Sequence, residues 1–247
     1  MSEVILEARG ISQCFGRFQA LTSISASFRA NELCAIIGPN GAGKSTFFNI
    51  LSGAFAPTSG QVLFRGEHVT GLPQHAYARR GIAKSFQITN VFKQLSAHEN
   101  VRVAVQMPHA RFDFLRPRSS LRGVAERADA LLERVGLTPL RDRTAADLAH
   151  GQQRALEMAM ALAADPQLLL LDEPTAGMSP EETTVMMDLI TQLAAERTVI
   201  LVEHKMKLVM GICKRLIVLH HGEVLAEGSP QEIRGNAEVR RVYLGQG

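Results

Sequence analysis

A chain of 247 residues is long for one average domain and short for two, so we expect one large domain that carries an inserted subdomain. Hydrophobic residues make up 46% of the chain and charged residues 21%, values that are usual for folded globular proteins and exclude a disordered or fibrous class. The formal net charge of +3 is too small and too dispersed to indicate a nucleic-acid partner, and we expect none.

The first thirty residues alternate between apolar and polar side chains, most clearly over residues 4–8 and 24–28. Such an alternation is typical of strands that bury one face. We therefore predict short antiparallel strands in this part of the chain, with turns near Gly16 and Asn31.

A second pattern begins with the five consecutive apolar residues 33–37, which precede a glycine-rich turn and a helical pattern over residues 45–51. The turn matches the phosphate-binding loop G-x-x-x-x-G-K-[ST], and such a match arises by chance in roughly one chain of this length in a hundred. Its glycines let backbone N–H groups curl around the β and γ phosphates, Lys44 adds a mobile positive charge, and Ser45 offers a hydroxyl to Mg²⁺. The predicted phosphate-binding residues are Gly38, Pro39, Asn40, Gly41, Ala42, Gly43, Lys44, Ser45 and Thr46.

The centre of the chain has the spacing of helices. Apolar residues recur every three or four positions over residues 125–135, and a second amphipathic helix follows Gly151 and begins near Gln153. We predict that residues 88–150 form a mainly helical subdomain inserted into a single domain of residues 1–247.

Two more buried-strand patterns, residues 168–171 and 198–202, flank a helical stretch over residues 180–195, which predicts a parallel βαβ unit. Short strands return at 216–219 and 223–226. The predicted fold class is therefore α/β, with a mixed sheet as the core and an antiparallel β subdomain beside it.

Two carboxylates, Asp172 and Glu173, end the strand pattern of residues 168–171. The carboxyl edge of a parallel sheet is where ligands bind. We predict that Asp172 helps to hold the water shell of Mg²⁺ and that Glu173 accepts a proton from the attacking water or orients it. A strand followed by solvated acidic residues without a catalytic role would give the same sequence pattern. The phosphate-binding loop favours the catalytic interpretation.

The order of these motifs resembles that of ABC transporter nucleotide-binding subunits over essentially the whole chain. The resemblance implies the P-loop NTPase fold of the ABC ATPases, with ATP and Mg²⁺ as cofactors and ATP hydrolysis as the activity. It also implies that Phe15 stacks on adenine, that Gln87 contacts Mg²⁺ and the attacking water, and that His204 contacts the γ-phosphate. The interpretations left open are a core aromatic for Phe15 and a surface histidine for His204.

The family's signature element, usually Leu-Ser-Gly-Gly-Gln, is similar to residues 148–152. The resemblance implies that Leu148, Gly151 and Gln152 read the γ-phosphate of ATP held by the opposite subunit. Two residues depart from the pattern: Ala149 lacks the usual hydroxyl, and His150 puts a side chain where glycine is usual. The phosphate would then depend on backbone N–H groups and the helix end. The following D-loop, usually ending in aspartate, ends here in Ser179.

The segments 173–178, 202–206 and 242–245 resemble importers of the branched-chain amino acid type. Urea importer ATPases and the lipopolysaccharide-export ATPase are similar, although the latter lacks the signature histidine. The alternatives are therefore a lipopolysaccharide-export-type system or a soluble ABC ATPase. A GTPase is disfavoured because Asn-Lys-x-Asp is absent, and a kinase because it would lack the signature-like segment.

The resemblance also implies partners: a second ATPase subunit in a homodimer or heterodimer, membrane permease subunits, and indirectly a solute-binding protein. We place the permease contact after Gln87, with Val91, Phe92 and Leu95 as apolar walls, although these residues also fit an ordinary subdomain core. The basic and aromatic segment 111–122 is either a second contact, with permease or anionic lipid, or a solvated loop.

Location follows from what the chain lacks. No apolar run approaches the roughly 20 residues of a membrane span, and residues 1–7 do not resemble a signal peptide. The three cysteines, Cys14, Cys34 and Cys213, form no C-x-x-C pair and fit reduced thiols in the cytosol. We expect a cytoplasmic protein that is peripheral on the inner face of the cell membrane through its permease.

Overall fold

Two sheets organise the chain in the computed structural model, which describes residues 3–84, 91–106 and 118–244. The smaller is an antiparallel sheet of four strands in the order β2-β1-β4-β5. Its strands are β1 (Val4–Phe15), β2 (Phe18–Arg29), β4 (Ser59–Phe64) and β5 (Glu67–His68).

The first two strands each run for twelve residues, so the prediction of short strands was wrong in length although right in direction. The pairing of β1 with β2 shifts register several times, for instance between Ala8 and Ile11. Such irregularities insert unpaired residues and break the period-two pattern, so that one long bent strand reads as several short ones. The predicted turn at Gly16 is present, and its positive φ of 60° suits glycine.

The larger sheet has six strands in the order β10-β9-β3-β8-β7-β6. The neighbours from β9 to β6 are parallel, and β10 pairs antiparallel with β9, which makes the sheet mixed as predicted. Its strands are β3 (Leu33–Ile37), β6 (Ile82–Lys84), β7 (Leu168–Asp172), β8 (Thr198–Val202), β9 (Arg215–His220) and β10 (Glu223–Gly228).

Helices cover both faces of the larger sheet. They are α1 (Lys44–Leu51), α2 (Gln74–Arg79), α3 (Ala97–Gln106), α4 (Arg118–Arg134), α5 (His150–Leu162), α6 (Pro180–Ala194), α7 (Met206–Ile212), α8 (Pro230–Gly235) and α9 (Ala237–Val239), followed by a π-helical turn at Arg240–Leu244. Helix α5 begins at His150 rather than near Gln153. Its start has no side-chain cap, because Ala149 has no hydrogen-bond acceptor in its side chain. The sequence therefore shows no capping residue there, which explains why the predicted start was too far along the chain.

The central strands divide the core into two clusters by simple alternation. On β3, Ala35 and Ile37 pack with the helices, whereas Cys34 and Ile36 pack with the antiparallel sheet and α1. All five residues of β3 are buried, as expected for a strand covered on both faces. The carboxyl ends of β3, β7 and β8 therefore open at one edge, which holds the candidate site.

The segment before α3 is joined to the segment before α5. Ser96 bridges to Thr144, and the backbone N–H of Ala97 donates to the carbonyl of Arg143 at 2.9 Å. Helices α3 and α4 lie between residues 97 and 134 and pack on α5. The limits of an inserted subdomain at 88–150 remain a prediction, since residues 85–90 lie outside the described part of the chain.

Candidate nucleotide site

The loop between β3 and α1 is packed so closely that two of its glycines have no room for a side chain. A Cβ at Gly38 would lie 2.1 Å from the carbonyl oxygen of Leu219, and one at Gly43 would lie 2.6 Å from Cδ2 of Leu21. Both glycines also have positive φ, 148° and 96°. The loop is thus fixed against the end of β9 and against β2, while Asn40 and Gly41 at its middle are exposed to an approaching anion.

Lys44 is buried and folded back over this loop. Its Nζ donates to the carbonyl oxygens of Gly38 at 2.8 Å and Pro39 at 2.9 Å. Burial lowers the pKa of Lys44, an effect that the nearby carboxylates of Glu173 and Asp172 oppose. The first turn of α1 carries no acidic residue, so the positive helix end is free for an anion.

Asp172 ends β7 as a buried carboxylate, and within the described residues its Oδ1 has no hydrogen-bond partner. Burial raises the pKa of Asp172, and the positive charges of Lys84 and Lys44 oppose that rise. An unpaired buried carboxylate oxygen is costly and is relieved by a cation. The group therefore fits the predicted role of a Mg²⁺-water ligand. In the described ranges, no group of three or more His, Cys, Asp or Glu side chains is placed to hold a metal ion.

Glu173 and His204, predicted separately, lie beside each other. Glu173 has a φ of 45°, unusual for a residue other than glycine, and its N–H donates to the carbonyl of Val202 at 2.9 Å. Its Oε1 lies 3.6 Å from Nδ1 of His204, and both side chains are partly exposed, 32% and 51%. Strained backbone of this kind is often found where a reacting group must be aimed.

Four residues that the sequence did not single out for a role surround these groups. Lys84, at the end of β6, donates to Oδ1 of Asn49 at 2.6 Å and is, with Lys44, one of two cations that interact with Asp172. Thr175 and Glu203 are completely buried and hydrogen-bonded to each other, and Lys205 contacts the same threonine. The signal that could have found the last three is the parallel pairing of β7 and β8, which brings the two following segments together.

Phe15 lies at the end of β1 and is 51% exposed, so it is available to stack on a base. One edge contact supports it, to Phe55 at 6.0 Å between ring centroids with the rings at 73°. Phe18, opposite it across the hairpin, is also exposed.

The signature segment at the start of α5 has a backbone that is packed on one side and open on the other. Leu148 and Gly151 are buried, and Ala149 and His150 are exposed. A Cβ at Gly151 would lie 2.5 Å from Oε1 of Glu182. Packing against Glu182 therefore requires glycine at position 151, in addition to the predicted approach of a phosphate.

The other signature side chains have local partners. Oε1 of Gln152 accepts from the N–H of Ala149 at 3.0 Å. The His150 ring lies over the D-loop, where a Cβ at Gly177 would be 3.1 Å from its Cε1. No hydrogen bond within the described residues joins residues 148–152 to the phosphate-binding loop. Gln87, the remaining predicted site residue, lies outside the described part of the chain.

Comparison with known proteins decides the family. The ABC transporter family profile matches residues 21–176, well over half of the chain. The chain belongs to the ABC transporter ATP-binding family. A profile described as the branched-chain amino acid ATP-binding cassette transporter matches residues 223–247 of this cassette.

Relatives resemble the cassette along its full length. It is 42% identical to the high-affinity branched-chain amino acid transport ATP-binding protein BraF of Pseudomonas aeruginosa and 40% identical to LivG of the same description from Escherichia coli, with 100% of each chain covered. The lipopolysaccharide export system ATP-binding protein LptB of Acidithiobacillus ferridurans is 36% identical, over 99% of this chain and 98% of that one.

Solved structures agree on the fold. An ATP-binding cassette of an ABC transporter in its ADP conformation matches with a TM-score of 0.85 and 28% identity over 98% of this chain and 99% of that chain. A dimeric cassette in a post-hydrolysis state, bound to ADP and Pi, matches with a TM-score of 0.77 and 25% identity over 92% and 99%. The predicted ABC-ATPase fold is confirmed. Among the described helices, none has the length and apolar character needed to cross a membrane.

Proposed function

We propose that the cassette hydrolyses ATP to power the import of branched-chain or other hydrophobic amino acids, or of a related amide. The observation that carries this proposal is the full-length similarity at 40–42% identity to two branched-chain amino acid transport ATP-binding proteins. The match of the C-terminal residues 223–247 supports it further, and the lipopolysaccharide-export relative is less similar.

In this proposal the phosphates of ATP bind over the loop of residues 38–46. Lys44 exchanges its two carbonyl partners for phosphate oxygens, whose negative charge offsets the cost of burying the ammonium group. Ser45, Asp172 and Gln87 would hold Mg²⁺, which supplies positive charge to the phosphate oxygens. Glu173 orients or deprotonates the attacking water, and His204 contacts the γ-phosphate.

A second cassette, the same chain or a different one, completes each site. Residues Leu148, Gly151 and Gln152 present the start of α5 to ATP on the opposite subunit. Two observations support this: the exposed face of Ala149 and His150, and the dimeric form of a solved cassette bound to ADP and Pi. The helix N-terminus supplies roughly half a positive charge for the incoming phosphate.

The permease is placed against the loop before α3. Phe92 is 53% exposed, whereas Val91 is buried, so only part of the predicted apolar wall is available to a partner. The buried Asn100 holds Phe92 in place, because its side chain accepts from the N–H of Phe92 at 2.7 Å and donates to the carbonyl of Phe92 at 3.1 Å. The solute-binding protein would act through that permease, and the cassette would lie at the inner face of the membrane.

Phe92→Asp is expected to uncouple transport from hydrolysis. A carboxylate is costly to bury in an apolar interface, so the contact with the permease should be lost. The position is exposed in the free subunit, so the fold should remain intact. Uptake by the assembled transporter should fall at least about tenfold, with the ATPase rate of the isolated subunit within about twofold of the parent. Val185→Asp, at a residue 68% exposed on α6, is the matched control and should leave uptake unchanged. Equal loss of both activities in Phe92→Asp would indicate misfolding and contradict the contact.

Phe15→Ala is expected to weaken ATP binding by roughly tenfold, because stacking on one base is worth about 1–3 kcal/mol. Phe18→Ala removes a ring of the same kind from the same hairpin and should leave the affinity nearly unchanged. Titration with a fluorescent ATP analogue measures both. An equal loss in the two variants would contradict the specific role of Phe15.

The proposed function is tested by uptake. Deleting the gene should abolish high-affinity uptake of labelled leucine, and the parent chain should restore it, whereas Lys44→Met should not. Restored uptake of urea without leucine would move the proposal to an amide importer. Unchanged uptake of both, with a defect in lipopolysaccharide export, would reject it.

A further inference from the structure

A fully buried carboxylate, Glu203, lies immediately before His204 and is not used in the steps above. It has 0% exposure, and so has Thr175, its main partner. Burial of a carboxylate is costly unless several donors reach it. The hydrogen-bond donors around Glu203 therefore indicate its role.

The donors come from two neighbouring strand ends. One oxygen of Glu203, Oε1, accepts from the Thr175 hydroxyl at 2.6 Å and from the Thr175 N–H at 3.3 Å. The other, Oε2, accepts from the N–H of His204 at 3.2 Å. The carboxylate thus joins the segment after β7 to the segment after β8.

Lys205 closes the arrangement from the other side of His204. Its Nζ donates to the carbonyl oxygen of Thr175 at 3.1 Å. The N–H, hydroxyl and carbonyl of Thr175 are therefore all engaged by the two neighbours of His204. We call Thr175, Glu203 and Lys205 the Thr175 clamp.

The strand register explains why these residues meet. Asp172 pairs with Val202 in parallel β7 and β8, so the segments 173–175 and 203–205 leave the sheet side by side. The N–H of Glu173 still donates to the carbonyl of Val202. The Thr175 clamp joins the two segments again two residues after Glu173. The distance between Glu173 and His204 is therefore constrained on both sides.

We infer that Glu203 and Lys205 are positioning residues, which act through Thr175 to hold His204 at the side of Glu173. The inference rests on the proposed function, because the two groups so held are the proposed water-orienting carboxylate and the γ-phosphate contact. The 3.6 Å between Glu173 Oε1 and His204 Nδ1 is the distance that the clamp maintains. Displacement of a reacting group by about 1 Å can cost a hundredfold in rate.

The test uses the purified full chain and separates rate from binding. Thr175→Val keeps the shape of the side chain and removes the hydroxyl, and Glu203→Gln presents an NH₂ group to one of the three donors. Both variants should lower kcat by roughly 10- to 100-fold, with KM and the affinity for a fluorescent ATP analogue within about twofold of the parent. Thr175→Ser, which retains the hydroxyl, should recover kcat to within about threefold.

A matched control removes the same group elsewhere. The Thr191 hydroxyl on α6 donates to the carbonyl of Met187 at 2.8 Å, so Thr191→Val loses one hydroxyl hydrogen bond away from the site and should keep the parent kcat. Action through the histidine is tested in a His204→Ala background, where Thr175→Val should cause little further loss.

Three results would overturn the inference. These are a parent-like kcat in Thr175→Val, a parallel loss of kcat and nucleotide affinity that serine does not rescue, and an undiminished effect of Thr175→Val in the His204→Ala background. The pair Thr175→Val and Thr175→Ser decides the matter even if Glu203→Gln does not fold. A parent chain without ATPase activity would reject the proposed function as well, whereas an active parent with an unaffected Thr175→Val would reject only the clamp.

Discussion

Replacement of Glu173 by glutamine is expected to lower kcat for ATP hydrolysis by about two to four orders of magnitude, the usual contribution of a positioned proton acceptor. Glutamine has nearly the same shape, so the strained turn and its hydrogen bond to Val202 should persist. ATP binding should remain, because Lys44 and the phosphate-binding loop are unchanged. The variant should then accumulate as an ATP-bound dimer.

The measurements are steady-state hydrolysis, nucleotide titration and size-exclusion chromatography with ATP. Glu67→Gln is the matched control, since the Glu67 side chain is 74% exposed on the antiparallel sheet and forms a 3.7 Å ion pair with Arg80. That control should hydrolyse ATP at the parent rate. Hydrolysis near the parent rate in Glu173→Gln would show that another group orients the water.

Ala149→Asp is expected to stabilise the folded chain and yet prevent hydrolysis. Aspartate at the N-cap of α5 gives the free backbone N–H groups an acceptor, which adds about 0.5–2 kcal/mol to the free energy of unfolding. The same carboxylate would face the γ-phosphate of ATP on the opposite subunit. Two like charges 4 Å apart cost about 4 kcal/mol at an effective dielectric of about 20, which corresponds to roughly a thousandfold in dimer formation.

Ala149→Asn separates charge from capping, because asparagine caps a helix about as well and carries no charge. It should raise thermal stability and leave hydrolysis within a few fold of the parent. In both variants nucleotide affinity of the single chain should be unchanged. If Ala149→Asp weakens that affinity as much as Lys44→Met does, the signature and the phosphate-binding loop serve the same ATP, and the shared site is wrong.

Gly151→Asp would be a poorer test of the shared site. Its new side chain would collide with Glu182, whose own carboxylate accepts from the N–H of Ser179 at 3.0 Å and caps α6. A loss of activity would then mix electrostatic repulsion with a disturbed helix start. Ala149 is exposed, so a change there does not disturb the packing.

Sequence patterns predicted the central strands well because each is a short apolar run between clear signals. The strand over residues 198–202 has the predicted limits. Strand β7 was predicted over residues 168–171 and continues one residue further, to Asp172. Prediction was weaker where the local signal is missing. The irregular pairing of β1 hides its length, and Ala149 gives no mark for the start of α5.

The candidate site divides in the same way. Lys44 and Asp172 belong to contiguous motifs, so their identity could be predicted, and the structure adds the carbonyl partners of the lysine and the unpaired oxygen of the aspartate. The Thr175 clamp could not be predicted residue by residue. A parallel pairing of the two strands was predicted, but the register that sets Asp172 opposite Val202, and so brings Thr175 beside Glu203 and Lys205, depends on the whole fold.

The close contact between the start of α5 and residues 177–182, which include the first turn of α6, also constrains how this chain can diverge. Gly151 lies against Glu182, and the ring of His150 lies over Gly177. A larger residue at 151 therefore demands a shorter one at 182, and a side chain at 177 demands a smaller ring or none at 150. Among homologues, positions 151 and 182 should therefore covary, and so should positions 150 and 177. Chimaeras that exchange α5 without the segment 177–182 should fold poorly for the same reason.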